Sequence, residues 1–63
     1  MNRAQMKGNW NQMKGAVKQK WGQLTDDDLT EVAGDYDRLV GKIQERSGDT
    51  EENIKKWMDD QRS

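Results

Sequence analysis

The side chains with the most chemistry in this 63-residue chain are three consecutive acids, Asp26, Asp27 and Asp28, and a row of lysines, Lys7, Lys14 and Lys18. Adjacent carboxylates invite a reading as a magnesium or calcium site. A calcium loop, however, needs oxygens at alternate positions with a glycine at the sixth, and that spacing is missing. The triplet instead follows Thr25. A threonine followed by acids is helix-start chemistry: the hydroxyl accepts from an early amide and the acids complement the positive helix end. Capping is preferred over metal binding. With no cysteine and no histidine, the chain also lacks disulfides, thiol nucleophiles, imidazole bases and the usual zinc ligands. Its glycines lie seven apart rather than clustered, so no phosphate-cradling loop is present. No catalytic, cofactor-binding or metal-ligating residue is assigned, no cofactor is expected, and the chain is read as a non-enzyme.

The lysines raise a second possibility. Residues 1–25 hold Arg3, Lys7, Lys14, Lys18 and Lys20 and no acid, whereas residues 26–63 hold all twelve acids. Such asymmetry can mark a nucleic-acid or membrane arm. The plainer alternative, which we favour, is a basic helix packed beside acidic ones. Trp10, Trp21 and Trp57 could likewise form a partner surface, but tryptophans at helical spacing more often build a core.

What positions these groups is an internal repeat. Glycines fall at 8, 15 and 22 and again at 34, 41 and 48. Residues Gly8–Val17 lie over Gly34–Ile43 at an offset of 26, and Lys20 over Arg46. An offset of 25 lays Thr25–Leu29 over Thr50–Ile54. The chain is two copies of one helical hairpin, about residues 8–33 and 34–58, within a single domain spanning 1–63. A repeat of this length fixes the architecture before any other reading.

The periodicity predicts an all-α fold with helices near 4–21, 26–33, 35–47 and 51–61. Met6 continues the stripe of the first helix backwards. Gly22 is expected to stop that helix in a left-handed conformation, with Leu24 as the apolar residue of a Schellman turn, and Gly48 to stop the third. Thr25 and Thr50 are expected N-caps. The predicted core is Trp10, Met13, Val17, Trp21, Leu29, Val32, Tyr36, Leu39, Ile43, Ile54 and Trp57, with Ala33, Val40 and Met58 also on inward faces. Near Gly34 two readings stay open: a break between separate helices, favoured by the repeat, or one kinked rod. Gly15 and Gly41 sit mid-helix, where each costs about 1 kcal/mol against alanine. We expect the two hairpins to cross there, a relic of duplication being the alternative. Residues 1–3 and 61–63 are expected to fray.

Composition narrows the function class. The chain is 30% apolar and 37% charged, yet its net charge is only −1; three tryptophans and a clean period place it on the folded side. The longest apolar run is two residues, as at Leu39-Val40, so no membrane insertion is expected. No secretory leader is read, and the cytoplasm is the expected compartment. A monomer is expected.

The ordered elements Gly8-Asn9-Trp10, Lys14-Gly15-Ala16-Val17-Lys18, Trp21-Gly22-Gln23-Leu24-Thr25-Asp26-Asp27-Asp28 and Gly41-Lys42-Ile43-Gln44-Glu45-Arg46 resemble the CsbD-like family of short bacterial proteins. The likeness covers about residues 2–58. It implies two orthogonally packed α-hairpins of the SAM-domain-like kind and an association with the general stress response, with molecular activity unestablished. It brings no catalytic or ligand residues. A protective, hydrophilin-like role is consistent with six glycines and a mean hydropathy of −1.37. The alternative is a small protein-interaction module, with a protein partner unidentified, or a weak nucleic-acid binder.

Specific nucleic-acid recognition is not expected. The short helices begin with acids, which repel phosphate from their free amides. The lysine row neutralises about three phosphates at most, so affinity should be weak and its salt slope shallow. Titration with duplex DNA at about 150 mM salt checks this, and sub-micromolar binding would contradict it.

Overall fold

A computed structural model describes residues 8–61. The four elements among them are all α-helices: α1 (Trp10–Lys20), α2 (Asp26–Glu31), α3 (Tyr36–Ser47) and α4 (Glu51–Asp60). The order long, short, long, short follows the repeat, α3 over α1 and α4 over α2. The predicted first helix, 4–21, is interrupted at Asn9, a turn residue at φ −123° and ψ 34° after which α1 begins; residues 4–7 with the apolar Met6, and the outermost termini, lie outside the described residues.

Both short helices start as the sequence predicts. Thr25 Oγ accepts from the Asp28 amide at 3.1 Å, and Thr50 Oγ accepts from the Asn53 amide at 3.1 Å. The first copy adds a reciprocal bond, the Thr25 amide donating to Asp28 Oδ2 at 3.2 Å, which completes a capping box. Asp35 caps α3 by accepting from the Arg38 amide at 3.2 Å. α2 is shorter than the predicted 26–33.

The helix stops correct one expectation. Gly48 has φ 76° and closes α3 through its amide to the Gln44 carbonyl at 2.9 Å. Gly22 does not play this part, for the positive-φ glycines are Gly34 and Gly48. α1 ends instead at Trp21, at φ −122° and ψ 88°. The Leu24 amide then bonds back to the Trp21 carbonyl at 3.1 Å. The chain leaves the helix one residue early, in an extended conformation, as both Trp21 and Leu24 turn into the core. Gly34, at φ 74°, settles the junction: α2 and α3 are separate helices. The Asp35 amide donates to the Val32 carbonyl at 3.0 Å, closing a turn whose third residue needs the left-handed conformation glycine adopts without strain.

The core draws evenly on both repeats. Met13 and its equivalent Leu39, Val17 and Ile43, and Leu29 and Ile54 are all buried, joined by Trp21, Leu24, Val32, Val40 and Met58. Trp10, Tyr36 and Trp57, predicted as core, are only partly buried and pack against its edge. Ala33 is exposed where its equivalent Met58 is fully buried. α2 has already ended at residue 33, whereas α4 continues through 58 and carries its methionine inward.

The mid-helix glycines overturn another expectation. A Cβ built at Gly15 or Gly41 meets no heavy atom within 4 Å. No backbone crosses close to either, so the hairpins do not meet there. Each glycine weakens its helix without a compensating contact. Gly15→Ala and Gly41→Ala should therefore each stabilise the fold by about 1 kcal/mol. In a domain this small, thermal denaturation should read a rise of roughly 4–8 °C per substitution.

Candidate functional site

The acidic triplet is divided among structural tasks. Asp28, 7% exposed, accepts from the Thr25 amide and, through Oδ1, from an Arg46 guanidinium nitrogen at 3.1 Å. Asp26 lies on the surface and meets Lys18 at 2.7 Å and Lys14 at 3.9 Å. Asp27 is exposed. Among the described residues no group of three or more histidine, cysteine, aspartate or glutamate side chains is placed to hold a metal ion.

Two of the three lysines in the basic row are thus engaged by Asp26, which tethers the end of α1 to the start of α2; Lys7 lies outside the described residues. Further along, Lys42 of α3 pairs with Glu31 of α2 at 3.6 Å, and Lys55 with Glu51 at 2.6 Å within α4. The basic first helix does pack beside acid-rich segments, and its charge is partly neutralised there. The solvent-exposed pairs, Lys18–Asp26 and Lys55–Glu51, each contribute little to stability.

The tryptophans part company. Trp21 is 4% exposed and its indole Nε1 donates to Asp49 Oδ2 at 3.3 Å. Its ring meets Trp57 edge-to-face, centroids 4.9 Å apart and planes at 72°, a favoured geometry for aromatic pairs. The Lys20 ammonium stands 5.9 Å from the Trp21 ring centroid. Asp49 also accepts from Asn53 Nδ2 at 3.2 Å and from the Thr50 amide at 2.9 Å. Trp57, partly buried, borders a surface hollow with Ala16, Gln19, Lys20 and Gln61.

These contacts obey one pattern that spacing alone did not disclose. The C-terminal end of α1 reaches the N-terminal region of α4 through Trp21 and Asp49. The C-terminal end of α3 reaches the N-terminal turn of α2 through Arg46 and Asp28. Each long helix of one repeat therefore ends on the short helix of the other. The available signal was the equivalence of Lys20 with Arg46 and of Asp28 with Asn53: polar groups at matching places in both copies.

Three carboxylates titrate below the ordinary aspartate range. For Asp28 the largest cause is the Thr25 amide, helped by Arg46 and opposed by burial. The hydrogen bond from Lys18 leads for Asp26, and the Asn53 side chain leads for Asp49, followed by the Thr50 amide and Trp21. Glu51 holds Lys55 above the usual lysine range, first through its hydrogen bond and then through its charge.

An all-helical repeat protein whose polar clusters cap helices and join its two halves is the class that this geometry defines. Residues 4–56 match the CsbD-like family model, and the chain belongs to that family. It is 52% identical to UPF0337 protein ECA0631 of Pectobacterium atrosepticum, with 94% of this chain and 91% of the relative covered. UPF0337 protein YjbJ of Escherichia coli K12 is also 52% identical, over 95% of this chain and 87% of its own. UPF0337 protein pc0632 of Protochlamydia amoebophila is 47% identical, over 94% and 91%. No solved structure matches this chain.

The carboxylates set the response to acid. A carboxyl whose folded pKa is depressed stabilises the fold above its unfolded value, near 3.9, and loses that contribution as pH falls through the folded value. Stability should hold from neutrality to about pH 4 and drop below it. Asp28→Asn should lower the melting temperature at neutral pH and reduce proton uptake on acid unfolding, most between the folded and unfolded pKa values. Thermal melts across pH 2–7, taken with the calorimetric proton balance, check both.

Proposed function

We propose that this protein is a cytoplasmic, non-enzymatic member of the general stress response, acting as a soluble protective protein rather than through a dedicated ligand site. Its family membership carries the proposal: the CsbD-like model covers residues 4–56, and relatives about half identical cover nearly the whole chain. The physical chemistry is compatible. The surface mixes both charge signs, and among the described residues no large apolar side chain is exposed, which disfavours aggregation when the cell is crowded or dehydrated. No helix among them is long and apolar enough to cross a membrane. Of the polar groups that chemistry would draw upon, Asp26 is paired with Lys18, and Asp28, Asp49 and Arg46 are engaged in caps and cross-repeat bonds.

On the same reading the chain forms one domain and is a monomer, its hairpins packed crosswise in the SAM-domain-like manner. A second reading, a helical interaction module, rests on the partly buried Trp57 and the hollow beside it lined by Ala16, Gln19, Lys20 and Gln61. Tryptophan is a favoured anchor at interfaces.

Protein abundance measured across growth phases and under osmotic stress distinguishes the two. The protective reading expects levels to rise several-fold on entry into stationary phase or after osmotic upshift. A constant low level, together with one stoichiometric partner whose binding is lost in Trp57→Ala, would replace it with the second reading.

A further inference from the structure

The apolar register does not respect the turn between α2 and α3. Leu29, Val32, Tyr36, Leu39 and Ile43 follow at spacings of three, four, three and four. One continuous helix over residues 26–47 would keep them on a single stripe. What interrupts it is local: Gly34 at φ 74°, the bond from the Asp35 amide to the Val32 carbonyl, and the Asp35 cap on the Arg38 amide. In a continuous helix the ordinary backbone ladder replaces those bonds.

The cross-repeat contacts add a second observation. Trp21 with Asp49 and Trp57, and Arg46 with Asp28, all join residues before Gly34 to residues after it. None depends on the two repeats sharing a chain. A single repeat of about 26 residues is too small to bury a sufficient core alone, so an opened chain needs a second repeat.

We propose that the Gly34 turn is a hinge for exchange between two copies of this protein. When it straightens, α3 and α4 of one chain dock on α1 and α2 of another, and every cross-repeat contact is rebuilt between chains. A helix over residues 26–47 spans about 33 Å, more than the 25 Å longest extent of the closed fold. The closed monomer is the ground state, and exchange grows with concentration, since hinges of this kind are a low-cost route to dimers.

Gly34→Ala tests the hinge. Alanine is strained at φ 74° in the closed form and favours helix in the open one. Each junction then shifts at least about tenfold, and two junctions per dimer raise the dimerisation constant roughly 100-fold. Sedimentation equilibrium reads this directly. An unchanged constant overturns the proposal.

Exchange is told from simple face-to-face pairing by charge reversal in the Gly34→Ala background. Asp28→Arg alone and Arg46→Glu alone each set like charges against each other. Unfolded together and refolded, the two variants should give a mixed dimer in excess of the statistical proportion, because position 28 of one chain then meets an opposite charge at position 46 of the other. Absence of that excess among folded dimers overturns the proposal. Should either reversal fail to fold, isotope-filtered NMR on a dimer of labelled and unlabelled Gly34→Ala chains decides. Trp21–Trp57 contacts between chains support exchange, and contacts only within a chain refute it.

Discussion

The fold depends on a reciprocal exchange between its halves. Arg46, at the end of the second long helix, binds Asp28 at the start of the first short one. Trp21, at the end of the first long helix, binds Asp49 just before the second short one. Asp28 is the more constrained of the two acceptors: nearly buried, it serves both its own capping box and the other repeat. A buried carboxylate with one bond broken leaves a charge poorly compensated, a larger effect than the net value of the bond itself. Local helix initiation and global closure are thus tied to one side chain.

The duplication is approximate, and its departures are informative. Where the copies match in kind, at Met13 and Leu39, Val17 and Ile43, Leu29 and Ile54, both members are buried. Where they differ, the load shifts. Trp21 occupies the place of Ser47, and the serine instead folds back, donating to the Ile43 carbonyl at 2.6 Å and accepting from the Asp49 amide at 3.1 Å. The second copy thereby presents Asp49 to the tryptophan of the first. α2 carries six residues and α4 ten, so Met58 reaches the core while Ala33 does not. An unequal pair of hairpins fills one core better than two identical ones, because large residues on one side meet small ones on the other.

What was legible in the sequence was local or periodic. Thr25 and Thr50 announced their caps because capping needs only residues within one turn, and Gly48 announced its stop for the same reason. The stripe from Met13 to Trp21 and from Leu39 to Ile43 followed from helical period. Three features were not legible. The stop at Gly22 failed because Trp21 and Leu24 are drawn inward, a tertiary demand that overrides a local preference. The role given to Gly15 and Gly41 failed because spacing carries no information about what stands opposite a helix face. The pairs Arg46–Asp28 and Trp21–Asp49 span 18 and 28 residues; matching polar positions in the two copies hinted at them without giving the partner.

The indole of Trp21 gives this molecule a built-in gauge. Its Nε1 proton is shared with a carboxylate of the other repeat, while the backbone bonds that circular dichroism reads lie within single helices. The resonance of that one proton therefore reports the docking of the halves directly. Closure and helix formation, inseparable in circular dichroism, become two observables in a single spectrum.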